Sequence, residues 1–312
     1  MYRKIFLSLI CITLTACTSD KRISGSLFLM DTVWNISVSN KQCYDEISET
    51  LKNIDISADC HTEKGEAYKL NLNSSAECSD YLTELVEQSL NLSQNYSNRV
   101  SISCGSVTDL WQNADTFPND TQISNALLKS NIDNVIINGN TISLINGCTI
   151  DTGAFAKGYA LDKCNEVLES NNEDYAVISA VSSILLYGEK PDNEPFKVQI
   201  KNPESDDIIG TAVTNRDFVS TSGGYERFFT IDGKDYNHII DLENGKPSES
   251  DLVSVTVFCD SGIFSDYLST LIFTEGSENI EKHLGSDDYE VVAFDKKGKS
   301  FISKGLDFSY EK

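Results

Sequence analysis

Asp266 and Thr270 stand four residues apart in Asp266-Tyr267-Leu268-Ser269-Thr270. On a helix that spacing puts a carboxylate and a hydroxyl on one face. Two oxygens on a rigid support suit Mg²⁺, which keeps several coordination positions for water and substrate phosphate. The plainer alternative has Thr270 hydrogen-bonded to a helix carbonyl and Asp266 in solvent. A second run, Asp151-Thr152-Gly153-Ala154-Phe155-Ala156-Lys157-Gly158-Tyr159-Ala160, passes from a strand-like segment ending at Ile150 into a helix through small residues. Such a turn bares backbone groups to a ligand, and helix N–H groups favour anions. An ordinary strand-to-helix junction needs only Asp151 as its N-cap. The third run is Ser220-Thr221-Ser222-Gly223-Gly224-Tyr225-Glu226-Arg227-Phe228, then Asp232-Gly233-Lys234 and His238-Ile239-Ile240-Asp241. The three histidines are His61, His238 and His283. His238 reads as a strand residue with acid nearby, where a general base or a structural histidine could stand.

Helices and strands must position these groups. Helical spacing recurs at Ile47, Leu51 and Ile54, and at Leu82, Leu85, Val86 and Leu90. A third helix follows Asp151-Thr152-Gly153 with Ala160, Cys164, Val167 and Leu168 on one face, and a fourth starts near Phe264. Hairpins are expected around Asn138-Gly139-Asn140 and around Asp232-Gly233, the latter with its second strand running from Tyr236 to Ile240. Further strands are expected at 176–178, 196–201, 253–258 and 290–294. Hairpins interleaved with helices, without a βαβ rhythm, predict an α+β domain with mixed, largely antiparallel sheets.

Composition narrows the partners. The 312 residues are 40% hydrophobic and 23% charged, which excludes a disordered chain and a multi-span membrane protein. Asp and Glu number 48 against 25 Lys and Arg, a net charge of −23. With no basic stripe, such a surface repels nucleic acid. A phosphorylated substrate would need a bound cation to reach it. Residues 1–16 form a basic start and a short apolar run, well under the about 20 residues of a spanning helix. Leu14-Thr15-Ala16-Cys17 resembles a bacterial lipobox, with cleavage before Cys17 and lipid on its sulfur. Residues 17–26 then read as a tether and 27–312 as one domain. The remaining seven cysteines show no CxxC pair, and their pairing is not legible.

In combination, and in this order, the motifs resemble the ApbE family, the FAD:protein FMN transferases. The resemblance runs from Met30-Asp31-Thr32 to about Gly276. It is carried by residues 151–162, by Ser220-Thr221-Ser222-Gly223 with Tyr225-Glu226-Arg227, by His238-Ile239-Ile240-Asp241 with Asn244-Gly245-Lys246-Pro247, and by Ser254-Val255-Thr256-Val257 followed by Asp266 and Thr270. It implies a single T-fold-like domain that binds FAD and Mg²⁺ and transfers FMN to a Ser or Thr of a client protein, releasing AMP. The implied client is a membrane or extracytoplasmic redox protein. Position by position, it implies metal ligation by the Ala154 carbonyl, Asp266 and Thr270. It places Met30, His61, Arg99, Val100, Ser101, Asp151, Lys157 and Ile240 against the flavin, and makes His238 the group that activates the acceptor hydroxyl. Asp31, the Val181-Ser182 pair and Leu242 stand where the family usually has glycine, a glycine pair and proline. An FAD pyrophosphatase and a non-catalytic flavin-binding lipoprotein are the competing readings.

The lipobox predicts a protein anchored to the outer face of the bacterial cell membrane. Cys17→Ser should release it from membrane fractions or leave its signal uncleaved. Unchanged processing and attachment would contradict the lipid anchor.

Overall fold

The computed structural model describes residues 22–202, 205, 207–224 and 228–311. Cys17 and the motif residues Tyr225, Glu226 and Arg227 lie outside them. Eight strands build one sheet: β1 Ile23–Leu29, β2 Thr32–Val38, β3 Tyr175–Ala180, β4 Ser183–Gly188, β5 Phe218–Gly223, β6 Leu252–Cys259, β7 Tyr289–Asp295 and β8 Ser300–Ile302. Their order across the sheet is their order along the chain, and every neighbouring pair is antiparallel. The α+β expectation therefore holds. β1 opens inside the segment read as tether, because Ile23, Leu27 and Leu29 alternate inward onto the core.

Both faces of this sheet are covered, and the strands alternate between two cores. Ala176, Ile178, Leu185, Phe218, Val255 and Val291 point into the larger core. That core also takes the apolar faces of α1 (Lys41–Ala58), α2 (Glu66–Asn73) and α3 (Asp80–Asn95), with α6 (Ala156–Ser170) and α7 (Gly262–Glu275). Tyr175, Val177, Ile184, Val219, Phe258 and Val292 point the other way, onto a small sheet of strands Phe196–Lys201, Ile208–Thr214 and Asp307–Tyr310. Double coverage is why β6 reads as a nearly unbroken apolar run. A third core joins α4 (Gly105–Gln112) and α5 (Asp120–Lys129) to Ile231 and Ile240 around Trp111.

Helices α1, α3 and α5 begin where the sequence supplies caps. Asn40 accepts from the Cys43 N–H and Ser79 from the Leu82 N–H, and Asn119 with Gln122 forms a capping box. Asp232 and Gly233 both have positive φ, the signature of a tight hairpin turn between Phe228–Ile231 and Lys234–Asn237. The second strand stops at Asn237, short of the expected Ile240. His238 therefore sits on a half-buried bend and not in a strand. The cause is the Asn237 side chain, whose Oδ1 accepts from the Ile239 N–H at 2.9 Å and turns the chain. Ile240–Asp241 then pairs with Lys246–Pro247 instead.

Helices α6 and α7 cross backbone to backbone. A Cβ on Gly158 would stand 2.1 Å from the Gly262 carbonyl oxygen, and one on Gly262 would stand 2.3 Å from that of Gly158. Only glycine at both positions permits this backbone-to-backbone crossing. Gly158→Ala forces the helices apart and should lower stability by about 1–3 kcal/mol, read as a reduced denaturant midpoint. An unchanged midpoint would show that the crossing is looser than described.

Candidate active site

Helix α7 is buried on almost every side, and of its 14 residues only Phe264 and Thr270 escape full burial. An all-round buried helix belongs to the core, so the half-exposed Thr270 marks an opening in the packing. Asp162 on α6 caps this helix. Its Oδ1 accepts from the Gly262 N–H at 2.6 Å and its Oδ2 from the Ile263 N–H at 2.8 Å. Burial pushes its carboxyl up to about 6; the two N–H bonds oppose that shift and the nearby Asp266 charge adds to it.

One turn into α7, the Asp266 carboxylate is buried. Oδ2 accepts from the Gly158 N–H and Oδ1 from the Ser183 hydroxyl, each at 2.7 Å. Gly158, four residues after Ala154, is the third residue of α6, where a helix leaves backbone N–H groups without a partner, and Asp266 supplies the acceptor. Thr270 Oγ1 donates to the Asp266 carbonyl at 3.0 Å, as a helical threonine does, and lies 3.1 Å from Ser222 Oγ. Asp266 is nevertheless not in solvent, at 7% exposure. The Asp266 carboxylate and the Thr270 hydroxyl are hard oxygens, the ligand type that suits Mg²⁺.

A cleft of about 270 Å³ has walls that include His61, Tyr68, Thr108, Asp109 and Asp151. Helices α2 and α4 and two loops build it. Thr152 Oγ1 donates to the Ala58 carbonyl at 2.8 Å, and Cys60 Sγ lies 3.8 Å from Thr152 Oγ1. The loop after α1, which carries His61, is thereby tied to the loop that carries Asp151. Asp151 Oδ1 accepts from the Gly153 N–H at 2.9 Å, turning the chain toward Ala154. Desolvation by the cleft walls raises the Asp109 carboxyl, the Asp151 charge raises it further, and His61 opposes both.

Residues 30–293 match the profile of the ApbE family. The chain belongs to that family. An FAD:protein FMN transferase of Vibrio cholerae is 26% identical over 267 residues, covering 80% of each chain. One from Haemophilus influenzae is 22% identical over 322 residues, covering 94% of this chain and 92% of its own. Among solved structures, the ApbE protein of Thermotoga maritima superposes with a TM-score of 0.82 at 24% identity, over 91% of this chain and 98% of that one. The flavin transferase ApbE of Vibrio cholerae superposes at 0.78 and 22%, over 91% and 97%.

Within this ApbE fold the positions singled out in the sequence fall into three groups. Asp266 and Thr270 stand on α7 with the Asp266 carboxylate bonded to Gly158 of α6, Ala154 precedes α6 in the chain, and His61 and Asp151 face the cleft, with Lys157 half-buried in the first turn of α6. Arg99 and Ile240 belong to the segment around His238. Arg99 holds the buried Asp241 through two bonds, 3.2 Å from Nε and 2.7 Å from Nη2, and reaches Glu243 at 2.8 Å. Its chain also accepts from the Leu242 N–H at 3.1 Å, so Arg99 clamps the strand that follows the His238 bend. Ile240 packs beside Trp111. Val100 and Ser101 point inward, the latter's hydroxyl 2.9 Å from that of Ser103.

Met30 occupies the β1–β2 turn, its N–H donating to Asp55 at 2.6 Å. Met30 and Asp31 have φ of 49° and 56°, and aspartate is one of the few residues that tolerates this region in place of the family's glycine. Val181, in the turn from β3 to β4, has φ 55°. A β-branched residue is strained there, so the chain keeps the left-handed turn of the missing glycine. Sequence reasoning passed over Gly158, Asp162 and Ser183. A glycine inside an otherwise good helix, four residues before an aspartate, was the available signal for the first two.

Proposed function

We propose that this protein is an Mg²⁺-dependent FAD:protein FMN transferase whose acceptor is a Ser or Thr hydroxyl of an extracytoplasmic redox protein. Membership of the ApbE family supports the reaction class. The observation that supports the site is the Gly158–Asp266 hydrogen bond, which ties the Asp266 carboxylate to the start of α6, four residues after Ala154. The Ala154 carbonyl, the Asp266 carboxylate and the Thr270 hydroxyl would hold Mg²⁺, which would offset the charge of the FAD pyrophosphate and of the departing AMP in a protein whose own charge is −23. Cys17 anchors the chain, through lipid, on the side of the membrane where that client stands.

The protein's own side chains supply position and proton transfer. The cleft between His61 and Asp151 orients the flavin end of the substrate beside the metal ligands. The acceptor oxygen attacks the phosphorus on the riboflavin side. The bond from that phosphorus to the bridging oxygen breaks, and AMP leaves with the oxygen. His238 takes the hydroxyl proton on a ring nitrogen. The Asx turn at Asn237 and the Arg99–Asp241 clamp hold the bend from both sides.

Intact mass of a candidate client, incubated with the protein, FAD and Mg²⁺, should rise by one FMN minus water, with AMP released. FMN and AMP formed without client labelling would identify a pyrophosphatase. Persistent bound FAD would identify a binding protein. His238→Ala should slow transfer by about 10²–10⁴-fold and abolish the acidic limb of the pH profile, with FAD affinity retained. A variant that transfers at the wild-type rate would contradict the base assignment.

A further inference from the structure

We propose that Ser183 is a positioning residue that sets the affinity of the Asp266 site for its divalent cation. The inference rests on the metal reading above and concerns a residue outside the ligand set. Ser183 is the first residue of β4 and is fully buried. Its sheet partners are Ala180 and Ser220, and the larger core surrounds it with Leu185 and Phe218. A hydroxyl in such surroundings is costly unless its proton is used. Its proton goes to Asp266 Oδ1 at 2.7 Å, since an ionised carboxylate can only accept.

The geometry distinguishes this bond from ordinary core satisfaction. Gly158 holds one carboxylate oxygen and Ser183 holds the other: one donor sits on α6, one on the sheet. Two fixed donors on two oxygens lock the plane of the carboxylate. With Gly158 alone the group can swing about its Cβ–Cγ bond. The lone pairs left over then need not converge with the Ala154 carbonyl and the Thr270 hydroxyl. Partners that orient a metal-binding side chain in this way typically set affinity by about 10–100-fold. Ser183 follows directly on the Val181-Ser182 turn, where Ser182 accepts from the Thr221 N–H at 2.8 Å and fixes the start of β4 to β5. The strained turn thus delivers the donor.

Mn²⁺ binding to the full chain, followed by electron paramagnetic resonance, reads the metal site without any turnover. Ser183→Ala should weaken Mn²⁺ binding by about 10–100-fold, while Ser183→Thr, which keeps the hydroxyl, should bind close to wild type. Saturating metal should restore FMN transfer by Ser183→Ala toward the wild-type rate, so the effect lies in metal affinity and not in the maximal rate. Thermal midpoints of the variants report folding separately. Wild-type Mn²⁺ affinity in Ser183→Ala, or equal weakening in both variants, would overturn the proposal. A wild-type chain that binds no divalent cation would overturn it together with the metal reading. Weakened binding in Ser183→Ala beside a failure to label any client would leave Ser183 in place and remove only the transferase reading.

Discussion

The hydrogen bond from the Gly158 N–H to the Asp266 carboxylate depends on two helices meeting without side chains between them. Gly158 and Gly262 supply that contact, and each would be blocked by a single methyl group. Once the backbones touch, Asp162 can reach from α6 to cap α7, and Asp266 can reach from α7 to take a donor from the first turn of α6. The same contact gives a partner to an N–H that the start of α6 would otherwise leave unpaired. Packing, the capping of α7 and the fixing of the Asp266 carboxylate are therefore one arrangement. A substitution that separates the helices weakens all three together.

The electrostatics run in the same direction. A chain with 48 acidic and 25 basic side chains is a poor place for a pyrophosphate unless a cation intervenes. In the proposed site only one carboxylate would face that cation, and the other ligands would be neutral oxygens. Charge on the ligands would stay low, leaving room for substrate phosphate oxygens. The nearby guanidinium of Arg99 is not available for this work, because Asp241 and Glu243 already hold it. Its contribution is mechanical, fixing the segment that carries His238.

What could be read from the sequence was what local spacing encodes. α1 and α3 were legible because their apolar residues recur at the helical period and their cores take whole faces. That Asp266 and Thr270 share one helix was legible from the sequence too. β1 and β2 were not, since an edge hairpin with serines on its outer face resembles a polar tether; its turn also lacks glycine and relies on Met30 and Asp31 at positive φ. His238 was read as a strand residue because Ile239 and Ile240 follow it, yet Asn237 breaks the strand with its own side chain. Ser183 lies 83 residues from Asp266, and only the order of strands in the sheet brings them together. Its role could not be inferred from spacing.

The proposed site holds one divalent cation between the two helices on a mixed set of oxygens. Crystals of the protein grown with FAD and Mn²⁺ test it directly through the anomalous signal of the metal. A single strong peak is expected within about 2.0–2.3 Å of the Ala154 carbonyl oxygen, an Asp266 carboxylate oxygen and Thr270 Oγ1, with FAD phosphate oxygens completing the shell. A peak held by other side chains, or FAD bound in the cleft with no metal at this crossing, would contradict it.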